Sequence, residues 1–97
     1  MVPEDSEVAR LLRIIGKVQG VWYRGWTCDE AMQRSLRGWV RNWRDGSVEA
    51  FFAGPPDPAS EMIRACVAGP LAARVDSVEA EVAELPSGPG FLQLPTE

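Results

Sequence analysis

At 97 residues and a net charge of −4, the chain holds about one domain's worth of core and is too acidic for a protein whose main task is coating nucleic acid. Its 45% hydrophobic and 25% charged content is that of an ordinary globular protein, and no apolar run approaches the roughly 18 residues of a membrane span. It has no histidine, which removes the commonest general base at neutral pH and the imidazole ligand of most catalytic zinc sites.

The opening residues MVPEDSEVAR are polar and acidic, without the basic start and apolar middle of a secretory signal. A cytoplasmic chain with a frayed start over about 1–8 is expected. ARLLRIIG, rich in Leu and Ile and stopped by Gly16, reads as a strand buried on both faces in the centre of a sheet. The glycine loop GKVQGVWYR follows. From about Tyr23 to Arg37, Cys28, Ala31, Met32, Ser35 and Leu36 recur at helical spacing and predict a helix ended by Gly38. Trp39–Arg44 and Ser47–Ala53 are strand-like runs joined by Asp45-Gly46, a hairpin signal.

A second helix is expected after Asp57 as N-cap with Pro58 at the first helical position. It carries Ala59, Met62, Ile63, Cys66 and Val67 as its apolar stripe and stops at Gly69-Pro70. Val78, Ala80 and Val82 alternate with Glu79 and Glu81 as a strand with one wet face, and Val75 is out of phase, which suggests a bulge or bend. FLQLP closes the chain as a short edge strand. The order β-α-β-β-α-β plus one short strand predicts a single α+β domain over 1–97. It is a ferredoxin-like (split βαβ) sandwich with two helices on one face of an antiparallel sheet.

Charge is unevenly spread. Residues 10–44 contain eight of the ten Lys and Arg against only Asp29 and Glu30, a local +6 against −10 elsewhere, so an anionic ligand would prefer this half. Cys28 and Cys66 are far apart and lack CxxC spacing, so two free buried thiols are expected. The loop GKVQGVWYR supports two readings. It is either an anion cradle, with free backbone N–H groups, a helix N-terminus and the Arg24 fork meeting at one spot, or a tight turn with a surface Arg. Asn42, a poor strand former on a strand, either bonds an edge backbone group or holds a water beside the cradle. The four tryptophans read as core or rim packing rather than a base-stacking platform.

Together these segments resemble the acylphosphatase family. Its signature Gly-x-Val-Gln-Gly-Val-aromatic-aromatic-Arg is met by Gly16, Val18, Gln19, Gly20, Val21, Trp22, Tyr23 and Arg24. The second signature, Gly-Trp-Val-Arg-Asn followed by Asp-Gly-x-Val-Glu and a later Gly, is met by Gly38 to Asn42, Asp45, Gly46, Val48, Glu49 and Gly54. The resemblance spans roughly residues 9 to 95, and Cys66 departs from it by standing where the family often has a Trp.

The resemblance implies a hydrolase that splits the carboxyl-phosphate bond of acyl phosphates without metal or cofactor. It implies Arg24 and Asn42 as the catalytic pair, with Arg24 binding phosphate and Asn42 positioning water. The backbone of Gln19, Gly20, Val21, Trp22, Tyr23 and Arg24 would form the phosphate loop. A monomer is expected, with inorganic phosphate or sulfate as product or analogue and neither nucleic acid nor membrane as partner. Two alternatives are a non-catalytic phosphate-binding module and a domain that handles carbamoyl phosphate.

Overall fold

The computed structural model describes residues 6–97. Its elements in chain order are β1 (Val8–Lys17), α1 (Tyr23–Gln33), β2 (Arg37–Asn42), β3 (Val48–Gly54), α2 (Pro56–Ala68), β4 (Arg74–Val82) and β5 (Phe91–Gln93). The sheet order is β4-β1-β3-β2-β5. Every pairing is antiparallel except β2 with β5, which makes the sheet mixed rather than purely antiparallel as expected. The expected frayed start falls largely outside the described residues, and Val8 already pairs with Gly54.

Both helices cover one face of the sheet, and the core lies between the two layers. Leu12, Ile14, Val40, Val48, Ala50 and Phe52 point into it from the strands; Tyr23 and Ala31 of α1 and Ala59, Met62 and Cys66 of α2 meet them. Each large apolar side chain buried there contributes about 1.5–3 kcal/mol. The buried Tyr23 hydroxyl donates to the Cys66 carbonyl at 2.7 Å and ties one helix to the other. Cys66 is a fully buried core residue.

β1 is not buried on both faces. It has a strand on either side, but Arg13 is exposed and Ile15 is 38% exposed, because only one face of the sheet carries helices. On the helix-free face the register aligns Trp39, Phe51 and Leu11 in one row and Arg41, Glu49, Arg13 and Glu79 in the next. The second row alternates in sign across four strands, a favourable cross-strand arrangement on a wet surface.

α1 stops at Gln33, short of the expected Arg37. Ser35 takes the left-handed conformation (φ 55), and its N–H bonds the Met32 carbonyl at 3.1 Å while Leu36 N–H bonds the Ala31 carbonyl at 2.9 Å. This is a Schellman stop with serine in the position that usually holds glycine. Gly38 lies instead inside β2, with φ 140, where a Cβ would collide with the Phe51 carbonyl. The buried stripe of α1 is Tyr23, Thr27 and Ala31, and Met32, expected inside, is 57% exposed.

The β2–β3 hairpin turns over Arg44, Asp45 and Gly46. Trp43 and Ser47 close it through a 2.9 Å backbone bond, and Gly46 (φ 96) donates to the Trp43 carbonyl at 3.1 Å. Asp45 accepts from the Ser47 hydroxyl at 2.6 Å and the Ser47 N–H at 2.9 Å, and these bonds hold its carboxyl below the usual range. α2 begins two residues earlier than expected, with Pro55 rather than Asp57 at the N-cap. Its prolines fall where no N–H is needed, and Asp57 faces the positive end of the helix. The bulge read from Val75 is present: Ile15 pairs with Ser77 and Gly16 with Val75, leaving Asp76 unpaired. Val75 and Val78 are half-buried on the helix side, while Ala80 and Val82 are exposed on this edge strand.

Candidate active site

The loop between β1 and α1 is shaped by two left-handed residues, Gly20 (φ 74) and Trp22 (φ 63). For glycine this costs little; for tryptophan it costs roughly 1–2 kcal/mol, strain of the kind that gathers at functional sites. Trp22 is also the N-cap of α1 and supplies no side-chain cap, and the first turn holds no acidic residue. From Gln19 to Gly25 no N–H enters the loop, turn or cap hydrogen bonds of the described residues. The first donor is Trp26, to the Trp22 carbonyl at 3.0 Å. An uncapped helix start and a loop of free N–H groups therefore coincide, which is a favourable setting for an anion.

A cavity of about 150 Å³ opens at this point. Loop residues Val18, Gln19, Gly20 and Trp22 and the first turn of α1, Tyr23 to Gly25, line it together with Asn42 and Gln93. All of the expected phosphate-loop residues border it except Val21, whose side chain packs on the core. Arg24 and Asn42, distant in sequence, thus share one cavity. Trp22 stands at it with 66% of its surface exposed, and its indole lies where a Cβ on Gly25 would have to go. A glycine in the first turn weakens a helix start, and that contact supplies its reason here, since any side chain at Gly25 would meet the indole.

Arg24 Nη1 donates to the Leu94 carbonyl at 3.1 Å. No carboxylate of the described residues pairs with Arg24, whereas Arg13, Arg34, Arg37, Arg41 and Arg74 all have acidic partners. Its guanidinium keeps charge and donors available for a ligand. Asn42 is the last residue of β2, on its helix side, and only 9% exposed. Its Oδ1 is buried with no hydrogen-bond partner among the described residues, a situation that costs about 1–3 kcal/mol unless a ligand or solvent group answers it.

The Gln19 carboxamide donates through Nε2 to the Trp43 carbonyl at 2.7 Å and the Ser47 carbonyl at 2.9 Å. Neither this clamp nor the contributions of Gln93 and Leu94 could be read from the sequence, since all three join segments far apart in the chain. The other tryptophans lie off the cavity lining. Trp39 and Trp43 flank the Arg41 guanidinium at 5.3 and 5.8 Å, and Trp26 packs at 5.3 Å from Tyr23. A larger cleft of about 190 Å³ over β1 is bordered by Glu49, Glu79 and Glu81 against the single cation Arg13, a net-negative lining that disfavours anions.

A family model described as acylphosphatase matches residues 11–92. The chain belongs to the acylphosphatase family. An acylphosphatase of Rhodospirillum rubrum is 52% identical over 86 residues, 89% of this chain and 94% of that one. Among solved structures, an acylphosphatase from Coxiella burnetii superposes with a TM-score of 0.89 at 30% identity, over 94% of this chain and 96% of that one. The acylphosphatase from Bacillus subtilis gives a TM-score of 0.85 at 28% identity, over 90% and 98% of the two chains. The ferredoxin-like sandwich built above is thus the acylphosphatase architecture. No group of three or more His, Cys, Asp or Glu among the described residues is arranged to hold a metal ion.

Proposed function

We propose that this member of the acylphosphatase family hydrolyses acyl phosphates in the cavity at the start of α1. Arg24 and the N–H groups of Gln19 to Arg24 hold the phosphoryl group, and Asn42 holds the attacking water. The observation that carries this reading is that Arg24, without an acidic partner, and Asn42, with its buried and unpaired Oδ1, border the same cavity.

The chemistry fits a site without histidine. The water oxygen bonds phosphorus, the bond from phosphorus to the acyl carboxyl oxygen breaks, and its electron pair leaves with the carboxylate. The conjugate acid of that leaving group has a pKa of about 4, so no general acid is required. The water proton ends on a phosphate oxygen or in solvent. What remains for the protein is to offset charge on the equatorial oxygens and to aim the water, work suited to oriented N–H dipoles, one guanidinium and a carboxamide.

The form proposed is a monomeric, cytoplasmic enzyme of one domain that needs neither cofactor nor metal. Its thiols, Cys66 buried and Cys28 half-buried, are both unpaired, as suits a reducing compartment. No helix of the described residues is long and apolar enough to cross a membrane.

The test is hydrolysis of benzoyl phosphate followed by absorbance, with inorganic phosphate as inhibitor. Arg24→Ala is expected to abolish both turnover and phosphate inhibition. Asn42→Ala is expected to lower kcat by a factor on the order of 100 or more while leaving phosphate inhibition within a few-fold of wild type. Folded wild type without activity, or Asn42→Ala at near-normal rate, would overturn the assignment.

A further inference from the structure

We infer that Gln19 is a positioning residue for this reaction: its carboxamide clamps the phosphate loop to the hairpin that carries Asn42 and so sets where the attacking water stands relative to phosphorus. The inference rests on the functional reading above and adds to it a residue outside the catalytic pair.

The clamp follows from what holds the loop. Val18 before it and Tyr23 after it are buried in the core, while the N–H groups from Gln19 to Gly25 make no loop or cap bond among the described residues. Between those two anchors the Val21 side chain packs on the core and the Gln19 amide supplies the hydrogen-bonded tie to a neighbouring element, with both of its N–H donors used. The two acceptors are informative. Trp43 directly follows Asn42, and Ser47 directly precedes Val48, the register partner of Asn42. Gln19 therefore grips the hairpin one step beyond the Asn42–Val48 pair, with a single nitrogen bridging both strands.

The Trp43 and Ser47 carbonyls also accept the turn bonds from Gly46 and Trp43, so the grip lands on a backbone already fixed by its own turn. Arg24 is held independently, through the Leu94 carbonyl. Loss of the clamp should thus leave the cradle's charge in place and move the cradle relative to Asn42. Displacement of about 1 Å can reduce a rate by a factor on the order of 100 without any change in the reacting groups.

The experiment compares wild type, Gln19→Met, Gln19→Glu and Asn42→Ala, and the double variant Gln19→Met/Asn42→Ala, with benzoyl phosphate as substrate and inorganic phosphate as inhibitor. Methionine keeps the length of the side chain without its donors. Gln19→Met is expected to lower kcat by roughly tenfold to a hundredfold while the phosphate inhibition constant stays within about threefold. In the Asn42→Ala background the same change should cost less than about twofold more, because there is then no held water left to misplace.

Glutamate sets an ionised carboxylate against two carbonyls but regains one donor on protonation. The rate of Gln19→Glu relative to wild type should therefore rise as pH falls from about 7 to about 5. This ratio also decides the matter if the methionine variants do not fold. Full kcat in folded Gln19→Met, losses that multiply with Asn42→Ala, or a flat pH ratio would each overturn the inference while leaving an active wild type and an impaired Asn42→Ala to support the functional reading. An inactive, folded wild type would overturn both.

Discussion

Arg24 is the one arginine in the first half of the described chain that borders the cavity and lacks an acidic partner, and its usefulness lies in shape as much as charge. One donor is spent on the Leu94 carbonyl at 3.1 Å, and the rest of the planar fork remains for the equatorial oxygens of a phosphoryl group. A lysine would keep the charge and lose the fork. Arg24→Lys is therefore expected to lower kcat/KM by a factor on the order of 100 and to weaken phosphate inhibition more than about tenfold. Steady-state kinetics with phosphate as inhibitor measures both, and values within a few-fold of wild type would show that a point charge is enough. Trp22 carries the opposite kind of cost, a bulky side chain in a left-handed conformation at the mouth of the same cavity. Strain and exposure fall together there, next to a glycine whose missing Cβ gives the indole its place.

Among the elements, α1 is the one whose two ends do different work. Its start is uncapped and borders the cavity; its end is closed by the Ser35 turn, away from the chemistry. Serine in a left-handed position costs roughly 1–2 kcal/mol, a penalty glycine does not incur, although glycine has more backbone entropy to lose on folding. Ser35→Gly is accordingly expected to stabilise the fold by about 1 kcal/mol and to leave benzoyl phosphate kinetics unchanged. Urea unfolding with an unaltered m-value measures the gain, and a loss of stability would mean that the Ser35 side chain has a role beyond the turn. The hairpin joins fold and site in a different way. Its turn is fastened by Asp45 and Ser47, and the two carbonyls that flank it receive the Gln19 clamp. A turn chosen for hairpin geometry thus also serves as the anchor for a loop on another element.

For the molecule as a whole, the two helices are joined at one point by buried groups that resist ionisation. The Cys66 thiol is pushed up to about 12 by burial, and the Tyr23 phenol is raised well above its ordinary 10.0, again mainly by burial. In the unfolded chain these groups ionise near 9.0 and 10.0, so from there upward the unfolded state has released protons that the folded state retains. The stability they support is complete below about pH 9 and is lost as pH climbs toward about 12. The urea midpoint should consequently be lower at about pH 10.5 than at about pH 8, and the drop should be smaller in Cys66→Ala. An equal drop in that variant would assign the effect to other groups. The outer face of the sheet stays in water through its alternating row of Arg41, Glu49, Arg13 and Glu79, while the cavity on the helix side carries a cation and free N–H groups. Four of the eight basic residues in 10–44, namely Arg13, Arg34, Arg37 and Arg41, have acidic partners among the described residues, in surface pairs each of little energetic weight.

The sequence by itself determined the features that depend on near neighbours. Element order, the Asp45-Gly46 turn, the bulge signalled by Val75 and the two motifs around Arg24 and Asn42 all follow from residue spacing and backbone preference over a few positions. Tertiary structure decided what depends on which distant segments meet. The one-sided burial of β1 follows from both helices choosing the same face, and the parallel pairing of β5 follows from where the chain returns after β4. Serine could stand in for glycine at the end of α1 because Leu36 and Ala31, both buried, fix that turn from the core side. Gln19 reaches carbonyls 24 and 28 residues away, and Arg24 one 70 residues away. Such bonds go to backbone carbonyls, which every residue carries, so nothing in the identity of the acceptor marks it in advance; only folding brings it within 3 Å or so of its donor.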